Sequence, residues 1–344
     1  MAYPSRACAR ARVRVVPILL LPLLAVAACG DKKTAVNLDE LVNRLATALC
    51  KYEVACEATP DMASCVASVF QDPDETAVLE ANIASGKTKY DPVKANTCVE
   101  WFERYYGSAV CTQSGRAALG TDSADACAGA FVGTVAPGGA CITSTECADS
   151  GVCQPTEPTC AQQCCPGTCV ARAAPIPVGG DCSTLQPNQS CATGSICLPV
   201  AGGSLTCLVP STVEGSACAM FFDCASPLFC ATDAGTGTKS CRRAAASGAA
   251  CDGSASVYNA CDDSRDICSP TTNTCVRRTA VGGTCDPARS ACVGYAVCVG
   301  TTCVAYPKPG EACTPGGSPD CLGSFECAAQ TNTCVAPSSD GSCL

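Results

Sequence analysis

Residues 282–303 read Gly282-Gly283-Thr284-Cys285-Asp286-Pro287-Ala288-Arg289-Ser290-Ala291-Cys292-Val293-Gly294-Tyr295-Ala296-Val297-Cys298-Val299-Gly300-Thr301-Thr302-Cys303. Glycine stands three positions before the first cysteine, five residues separate the second and third, and threonine precedes the last. The same frame opens six times, at Cys141, Cys182, Cys218, Cys251, Cys285 and Cys313, each with its glycine at Gly138, Gly179, Gly215, Gly248, Gly282 or Gly310. The second and third cysteines are Cys147 and Cys153, Cys191 and Cys197, Cys224 and Cys230, Cys261 and Cys268, Cys292 and Cys298, and Cys321 and Cys327. Only Cys261 and Cys268 have six residues between them instead of five. The closing cysteines Cys169, Cys207, Cys241, Cys275, Cys303 and Cys334 each follow threonine or serine. A constant frame around loops of varying length is the mark of repeated modules.

A module of about 30–40 residues is too small to be held by an apolar core alone. A disulfide closing a loop of about 15 residues contributes on the order of 3 kcal/mol in the chain-entropy model. The segment Cys298–Cys303 predicts a short β-hairpin with its turn at the middle. Four cysteines allow three pairings, and spacing does not choose among them. Module one carries three extra cysteines, Cys160, Cys164 and Cys165, and Cys343 stands where a seventh copy would open. Either a long-range pairing balances that count, or Cys343 is a free or intermolecular thiol.

In module one, Cys141, Cys147, Cys153, Cys160 and the run Cys164-Cys165-Pro166-Gly167-Thr168-Cys169 resemble the N-terminal cysteine-rich domain of Dickkopf proteins. The likeness covers residues 141–169 closely; the later modules lack the paired cysteines and match loosely. The whole arrangement is also similar to cysteine-rich bacterial lipoproteins. Dickkopf proteins antagonise Wnt signalling in animals by binding receptors. For this chain the resemblance implies the scaffold only.

Residues 34–132 have a different character and predict a helical, disulfide-stapled domain. Leu38, Leu41, Val42, Leu45 and Leu49 fall on one helical face, with Asn37 as N-cap. A later helix opens at Asp91-Pro92, Asp as cap and Pro at the first helical position, and carries Cys98, Trp101, Phe102 and Tyr105 on one face. Helical spacing favours core packing of these rings over a ligand platform. Cys50, Cys56, Cys65, Cys98, Cys111 and Cys127 are even in number and suit three internal staples.

At the N-terminus, Arg6, Arg10, Arg12 and Arg14 precede an apolar run from Val15 to Leu24, then Ala25-Val26-Ala27-Ala28-Cys29. The pattern resembles a bacterial lipobox, with Val26 where Leu is commoner. It implies a signal peptide over 1–28, lipidation of Cys29, a tether over 29–33 and a membrane contact through that lipid. The rival is an ordinary secretory signal ending near a cysteine. Without residues 1–28 the chain has 316 residues and a formal charge of −13 in place of −9, since four arginines and no acidic residue are lost. Such a charge disfavours nucleic acid and anionic headgroups as partners. Setting aside Cys8 and Cys29, 34 cysteines remain, an even number that suits an exported disulfide framework.

The chain has no histidine, which closes Ser-His-Asp and Cys-His catalysis and every zinc site that needs imidazole. Structural zinc favours cysteine pairs separated by roughly two to four residues, whereas these modules mostly use five, so disulfides are expected rather than a metal or other cofactor. Ala234–Ser240 departs from a phosphate loop at Asp233 and Thr238 and is expected to be a hairpin turn. Asp149-Ser150-Gly151 has no second copy to complete an aspartic protease. Asp262, Asp263 and Asp266 suit a solvated loop better than weak calcium binding. Asn188-Gln189-Ser190 is a glycosylation sequon only in a eukaryotic host.

The sequence therefore predicts a lipid-anchored, extracytoplasmic cell-envelope protein on the outer membrane or cell surface. A stapled α-helical domain precedes six disulfide modules with short β-hairpins over 138–344. It is expected to be a non-enzymatic binding or surface-display protein for a protein or glycan partner, because loop diversity on constant frames suits such contacts. A protease inhibitor is the first alternative, and inhibition of a proteinase panel separates it. An exported enzyme with its site in the helical domain is the second, separated by activity in that domain alone.

Overall fold

In the computed structural model, α1 (Leu38–Ala55) starts at Asn37, whose side-chain oxygen accepts from the Glu40 N–H at 2.8 Å. This satisfies one of the first-turn donors that a helix leaves open. The structure describes residues 34–69, 73–119, 126–157, 165–186, 188–200, 204–233, 236–251, 260–287 and 291–336, which belong to one compact unit beginning at Thr34. Cys8, Cys29, Cys160, Cys164 and Cys343 lie outside them, and with them the signal, tether and lipid expectations. Among the described residues, no helix is long and apolar enough to cross a membrane.

After α1 come α2 (Met62–Val69), α3 (Pro73–Ala84), β1 (Thr88–Tyr90), α4 (Pro92–Tyr105), α5 (Gln113–Ala118) and β2 (Phe131–Gly133). Asp91 caps α4, accepting from the N–H groups of Val93 and Lys94 at 3.0 and 3.1 Å. β1 and β2 pair antiparallel, with Lys89 opposite Val132, so the helical region also contains a small sheet. Its strands are three residues long, too short for alternation to show in the sequence.

α1 and α4 meet over Val36, Leu41, Ala95, Val99 and Ala130, with Leu38, Leu45, Tyr90 and Phe131 packed around them. At the rim, Arg44 Nε and Nη2 donate to the two carboxylate oxygens of Glu103 at 2.9 and 2.8 Å. That fork holds the Glu103 carboxyl below its ordinary pKa. Disulfides Cys50–Cys65, Cys56–Cys111 and Cys98–Cys127 cross-link the region.

The modules follow as β3 (Ala140–Cys141), β4 (Val152–Pro155), β5 (Gly167–Val170), β6 (Ile196–Pro199), β7 (Leu205–Leu208), β8 (Leu228–Thr232), β9 (Lys239–Arg243), β10 (Asp266–Ser269), β11 (Thr274–Arg277), β12 (Ala296–Val299), β13 (Thr302–Ala305), β14 (Glu326–Ala328) and β15 (Thr333–Val335). Each module forms an antiparallel hairpin, and the third and closing cysteines sit directly opposite one another, as in Cys298↔Cys303. They are not bonded to each other. Instead the first cysteine joins the third and the second joins the fourth, as in Cys285–Cys298 and Cys292–Cys303. The same interlaced pairing holds in the other five modules. Residues directly opposite on a hairpin point to the same face, so the two disulfides lie side by side and form the centre of the unit. In module one the buried cluster is Cys141, Cys147 and Cys169. Sulfur takes the place that aromatic side chains hold in larger cores.

The repeated glycine has a conformational cause. Gly282 has φ +84° with open space where a Cβ would stand, and the Gly283 N–H donates back to the Ala280 carbonyl at 3.0 Å. This is a turn with glycine at its third position, the type II arrangement that requires positive φ there. The turn is then clamped to the hairpin: Gly282 N–H donates to the Cys303 carbonyl, and Cys303 N–H to the Gly283 carbonyl. All six modules repeat both bonds.

A second contact carries each lead-in across to its module. The Thr279 N–H donates to the Ala291 carbonyl, and the Thr279 carbonyl accepts from the Val293 N–H. In module six the equivalent residue is Pro307, which accepts from the Leu322 N–H but has no N–H to give.

Candidate functional site

The modules do not trail from the helical region; modules one, four, five and six pack back onto it. At the first seam, Lys87 Nζ lies 2.9 Å from Glu146 Oε2, and Thr88 Oγ1 donates to the Thr145 carbonyl at 3.0 Å. Glu146 Oε1 also accepts from the N–H groups of Ile142 and Thr143. Burial alone would push the Glu146 carboxyl up, but Lys87 and those two N–H groups outweigh it and hold it below its ordinary value.

At the second seam, module four meets α5. The Gln113 N–H donates to the Asp262 carbonyl, and Ser114 donates its N–H and hydroxyl to the Asp262 carboxylate at 2.8 and 2.6 Å. Asp262 thus satisfies a first-turn N–H of α5 from 148 residues away. At the third seam, the Gly294 N–H donates to the Glu57 carbonyl at 2.9 Å, and Lys308 Nζ lies 2.7 Å from Asp61 Oδ2. The hydrogen bond from Lys308, with a further one from the Ser64 N–H, lowers the Asp61 pKa to about 2.

Two of these seams hold clefts. The first-seam cleft has a volume of about 400 Å³ and is lined by Phe131, Val132, Ser144, Asp149, Ser150 and Arg172, among others. Asp149 and Ser150 both have positive φ there, 52° and 57°, and the Ser150 carbonyl accepts from Arg172 Nε. The third-seam cleft, of about 390 Å³, lies between the turn after α1 and modules five and six. Its lining includes Thr59, Ser68, Gly294, Tyr306, Asp320 and Leu322. Thr59 Oγ1 is shielded from solvent and has no hydrogen-bond partner among the described residues.

A third feature is an apolar strip. Of the thirteen exposed large apolar side chains among the described residues, seven lie between Val178 and Phe222, in modules two and three. Ile196 pairs with Leu208, and the Ser211↔Cys224 bridge ties the segment that follows β7 to the cysteine after the Phe221–Asp223 turn. Val209 and Phe222 are each 58% exposed.

The residues singled out from sequence fall as follows. Trp101 is buried and stacks on Tyr105 at 4.7 Å, Tyr52 packs against Tyr106, and the Arg116 guanidinium sits over the Tyr52 and Tyr105 rings. Trp101 is therefore interior, with Phe102 and Tyr105 half-buried around it, so the α4 rings pack on one another as helical spacing predicts.

The expected solvated loop at Asp262, Asp263 and Asp266 is instead an ion-paired junction. Arg265 clamps both oxygens of Asp263, Arg277 reaches Asp263 and Asp266, and Ser247 Oγ donates to Asp266, which is 2% exposed. With their oxygens turned to arginine, serine and backbone donors, these carboxylates are poorly placed for calcium. The stretch between β8 and β9 closes a hairpin, with Asp233 N–H donating to the Thr238 carbonyl. The Asn188 amide that would carry a glycan donates to the Ala171 carbonyl at 2.9 Å.

The sulfurs of Cys141, Cys147 and Cys169 lie within 4.8 Å of one another, as do those of Cys285, Cys292 and Cys303. Each is bonded in a disulfide and has no thiolate to offer a metal. Cys165, one of the extra cysteines of module one, is buried and disulfide-bonded. Neither Thr59, Tyr306 and Asp320 nor the Val209–Phe222 strip was visible from sequence, because each depends on contacts between distant segments.

Compared with known proteins, the chain matches no family model, no curated protein and no solved structure. Its dense disulfides mark a protein of an extracellular or otherwise oxidising compartment.

Proposed function

We propose that this protein is a lipid-anchored binding protein of the cell envelope, held by Cys29 and presenting its modules to a partner outside the cytoplasm. The observation that carries the binding role is the apolar strip on modules two and three, where Val209 and Phe222 stand exposed on rigid disulfide frames. Exposed apolar side chains concentrated on a stapled scaffold suit a docking role, because little side-chain or backbone freedom is lost on contact.

The non-enzymatic reading is supported by the missing histidine and by the use of the buried carboxylates. Glu146, Asp263 and Asp266 all face lysine or arginine within seams and hairpins.

Two experiments test the proposal. Protein recovered from membranes and alkylated without reduction is expected to carry a diacyl or triacyl mass on Cys29 and almost no alkyl adducts. An unmodified Cys29 would remove the anchor, and many adducts would remove the oxidised scaffold. A photo-crosslinker at position 209 is expected to give a discrete adduct in envelope preparations that Phe222→Glu abolishes; an adduct indifferent to Phe222→Glu would count against the strip.

A further inference from the structure

Module three carries, between its first two cysteines, the loop that module one uses for docking, and we infer that in module three this loop seats on a neutral lipid bilayer. The inference rests on the envelope-anchored reading above and names what the exposed side chains of that loop contact.

The two loops are built alike. Each has five residues, 142–146 between Cys141 and Cys147 and 219–223 between Cys218 and Cys224. Each ends in a 3-10 turn, Ser144–Glu146 and Phe221–Asp223. In module one, Glu146 Oε1 accepts from the N–H groups of Ile142 and Thr143, both at 3.0 Å. In module three, Asp223 Oδ2 accepts from those of Ala219 and Met220 at 2.5 and 2.9 Å. Module one presents this loop to the helical region, where the Thr145 carbonyl accepts from Thr88 and Glu146 meets Lys87. Phe222 holds the position of Thr145, and Met220 that of Thr143. Both side chains are exposed, Phe222 at 58% and Met220 at 44%.

Other modules also dock beside their second cysteine. Asp262 follows Cys261 and takes Ser114, and Gly294, two residues after Cys292, bonds to Glu57. Those contacts are polar, whereas the module-three loop has turned its polar groups inward. Asp223 Oδ2 is held by two N–H groups of its own loop, and Oδ1 is shielded from solvent. Lys239 Nζ donates to the Ala219 carbonyl at 3.0 Å, and the neighbouring Glu214 is paired with Arg243. Methionine and phenylalanine are left facing outward. Such a tip fits the boundary between headgroups and acyl chains, where no hydrogen-bond partner is demanded of it. The negative charge of the exported chain favours neutral over anionic lipid.

The anchor supplies the bilayer. Residues 29–33 separate Cys29 from the compact unit that begins at Thr34. Fully extended, that stretch spans at most about 18 Å. A lipid on Cys29 therefore holds the unit at the membrane, where a contact too weak to act alone becomes effective. Cys218–Cys230 and Cys224–Cys241 fix both ends of the loop, so little freedom is lost on insertion.

The test holds the full oxidised chain from Gly30 on phosphatidylcholine vesicles, through an N-terminal histidine tag and a chelating lipid that stand in for the acyl anchor. The one native tryptophan, Trp101, is buried and gives the baseline. Phe222→Trp puts a reporter on the tip, and Val281→Trp puts one at an exposed position of module five. Lipid brominated near the top of its chains, the depth an interfacial side chain reaches, is expected to quench the Phe222→Trp emission about twofold. Wild type and Val281→Trp should stay unquenched. Adding Met220→Glu to Phe222→Trp should abolish the quenching and leave the melting temperature unchanged, because Met220 is exposed.

No quenching would show that the tip stays in water, and equal quenching of both reporters would show that the tether alone brings rings to the lipid. Either result overturns the proposal, as does indifference to Met220→Glu. An unmodified Cys29 in the cell removes the anchor without touching the vesicle result, since the tag replaces the lipid. A Phe222-dependent adduct from position 209 without quenching assigns the tip to a protein, sinks the bilayer contact and leaves the binding role standing. Quenching without that adduct supports the bilayer contact and removes the protein partner instead.

Discussion

Lys87 Nζ and Glu146 Oε2 meet at 2.9 Å across the seam between the helical region and module one, and the glutamate side chain at that contact is completely buried. Removing one partner of a buried pair leaves the other groups unsatisfied, which typically costs more than the pair contributes. Glu146→Ala strands Lys87 and two backbone N–H groups, so a loss of about 3 kcal/mol is expected in chemical denaturation. Lys87 is partly exposed and can rehydrate once Glu146 is gone, whereas Lys87→Met leaves a fully buried carboxylate without its counter-charge, so Lys87→Met should cost at least as much. The Glu146 carboxyl titrates below its ordinary value, so its contribution is fully present above the unfolded pKa of about 4.3 and fades as pH falls below it. Equal stability of Glu146→Ala and wild type at neutral pH would show the seam to be incidental.

Two kinds of glycine should respond differently to alanine. At Gly282 the space for a Cβ is open and only the positive φ is at stake, so Gly282→Ala should cost about 1 kcal/mol and leave the module intact. At Gly133 a Cβ would stand 2.2 Å from the Cys147 carbonyl oxygen, forcing β2 away from module one. Gly133→Ala should cost about 3 kcal/mol, as overpacking does, and raise hydrogen exchange on both sides of the seam. The reverse ranking would mean that backbone conformation, not close approach, governs both.

These contrasts mark where the fold was legible in sequence. The caps at Asn37 and Asp91 and the hairpins around Cys298 and Cys303 are local: each depends on residues within a few positions of one another. The glycine frame was visible too, but its cause was not, since a type II turn clamped to the closing cysteine appears only in three dimensions. The pairing of Cys285 with Cys298 was open for the same reason, because spacing permits three connectivities. The seams were hidden altogether. Asp262 meets Ser114, and Lys308 meets Asp61, across 148 and 247 residues, and no periodicity reports a contact of that range. That is why the aspartates of module four looked like a solvated loop.

The interlaced disulfides make a direct prediction for peptide mapping under non-reducing conditions. Fragments holding Cys285 with Cys298, and Cys292 with Cys303, should be recovered, and a Cys298–Cys303 link should not. Replacing Cys285 and Cys298 together by alanine opens a loop with a sequence separation of 13 and should cost about 3 kcal/mol. Because Gly294 in the same module bonds to Glu57, faster exchange should extend to the end of α1. Exchange confined to module five would show that the third seam does not transmit the loss.

The Asp61–Lys308 pair gives that seam a defined acid sensitivity. Lys308 holds the Asp61 pKa at about 2, below the ordinary aspartate value of about 3.9. A carboxyl depressed in the folded state binds its proton more readily when unfolded, so stability falls with falling pH between these two values. The contribution is complete above about pH 4 and gone once pH drops through about 2. Other carboxylates titrate in the same range, so the measurement is the difference in melting temperature between wild type and Asp61→Asn. That difference should be small and constant from neutral pH to about pH 4, shrink below it, and diminish with added salt because both side chains are partly exposed. A difference that survives to pH 2, or that salt leaves untouched, would assign the effect of Asp61 to its hydrogen bond from the Ser64 N–H rather than to Lys308.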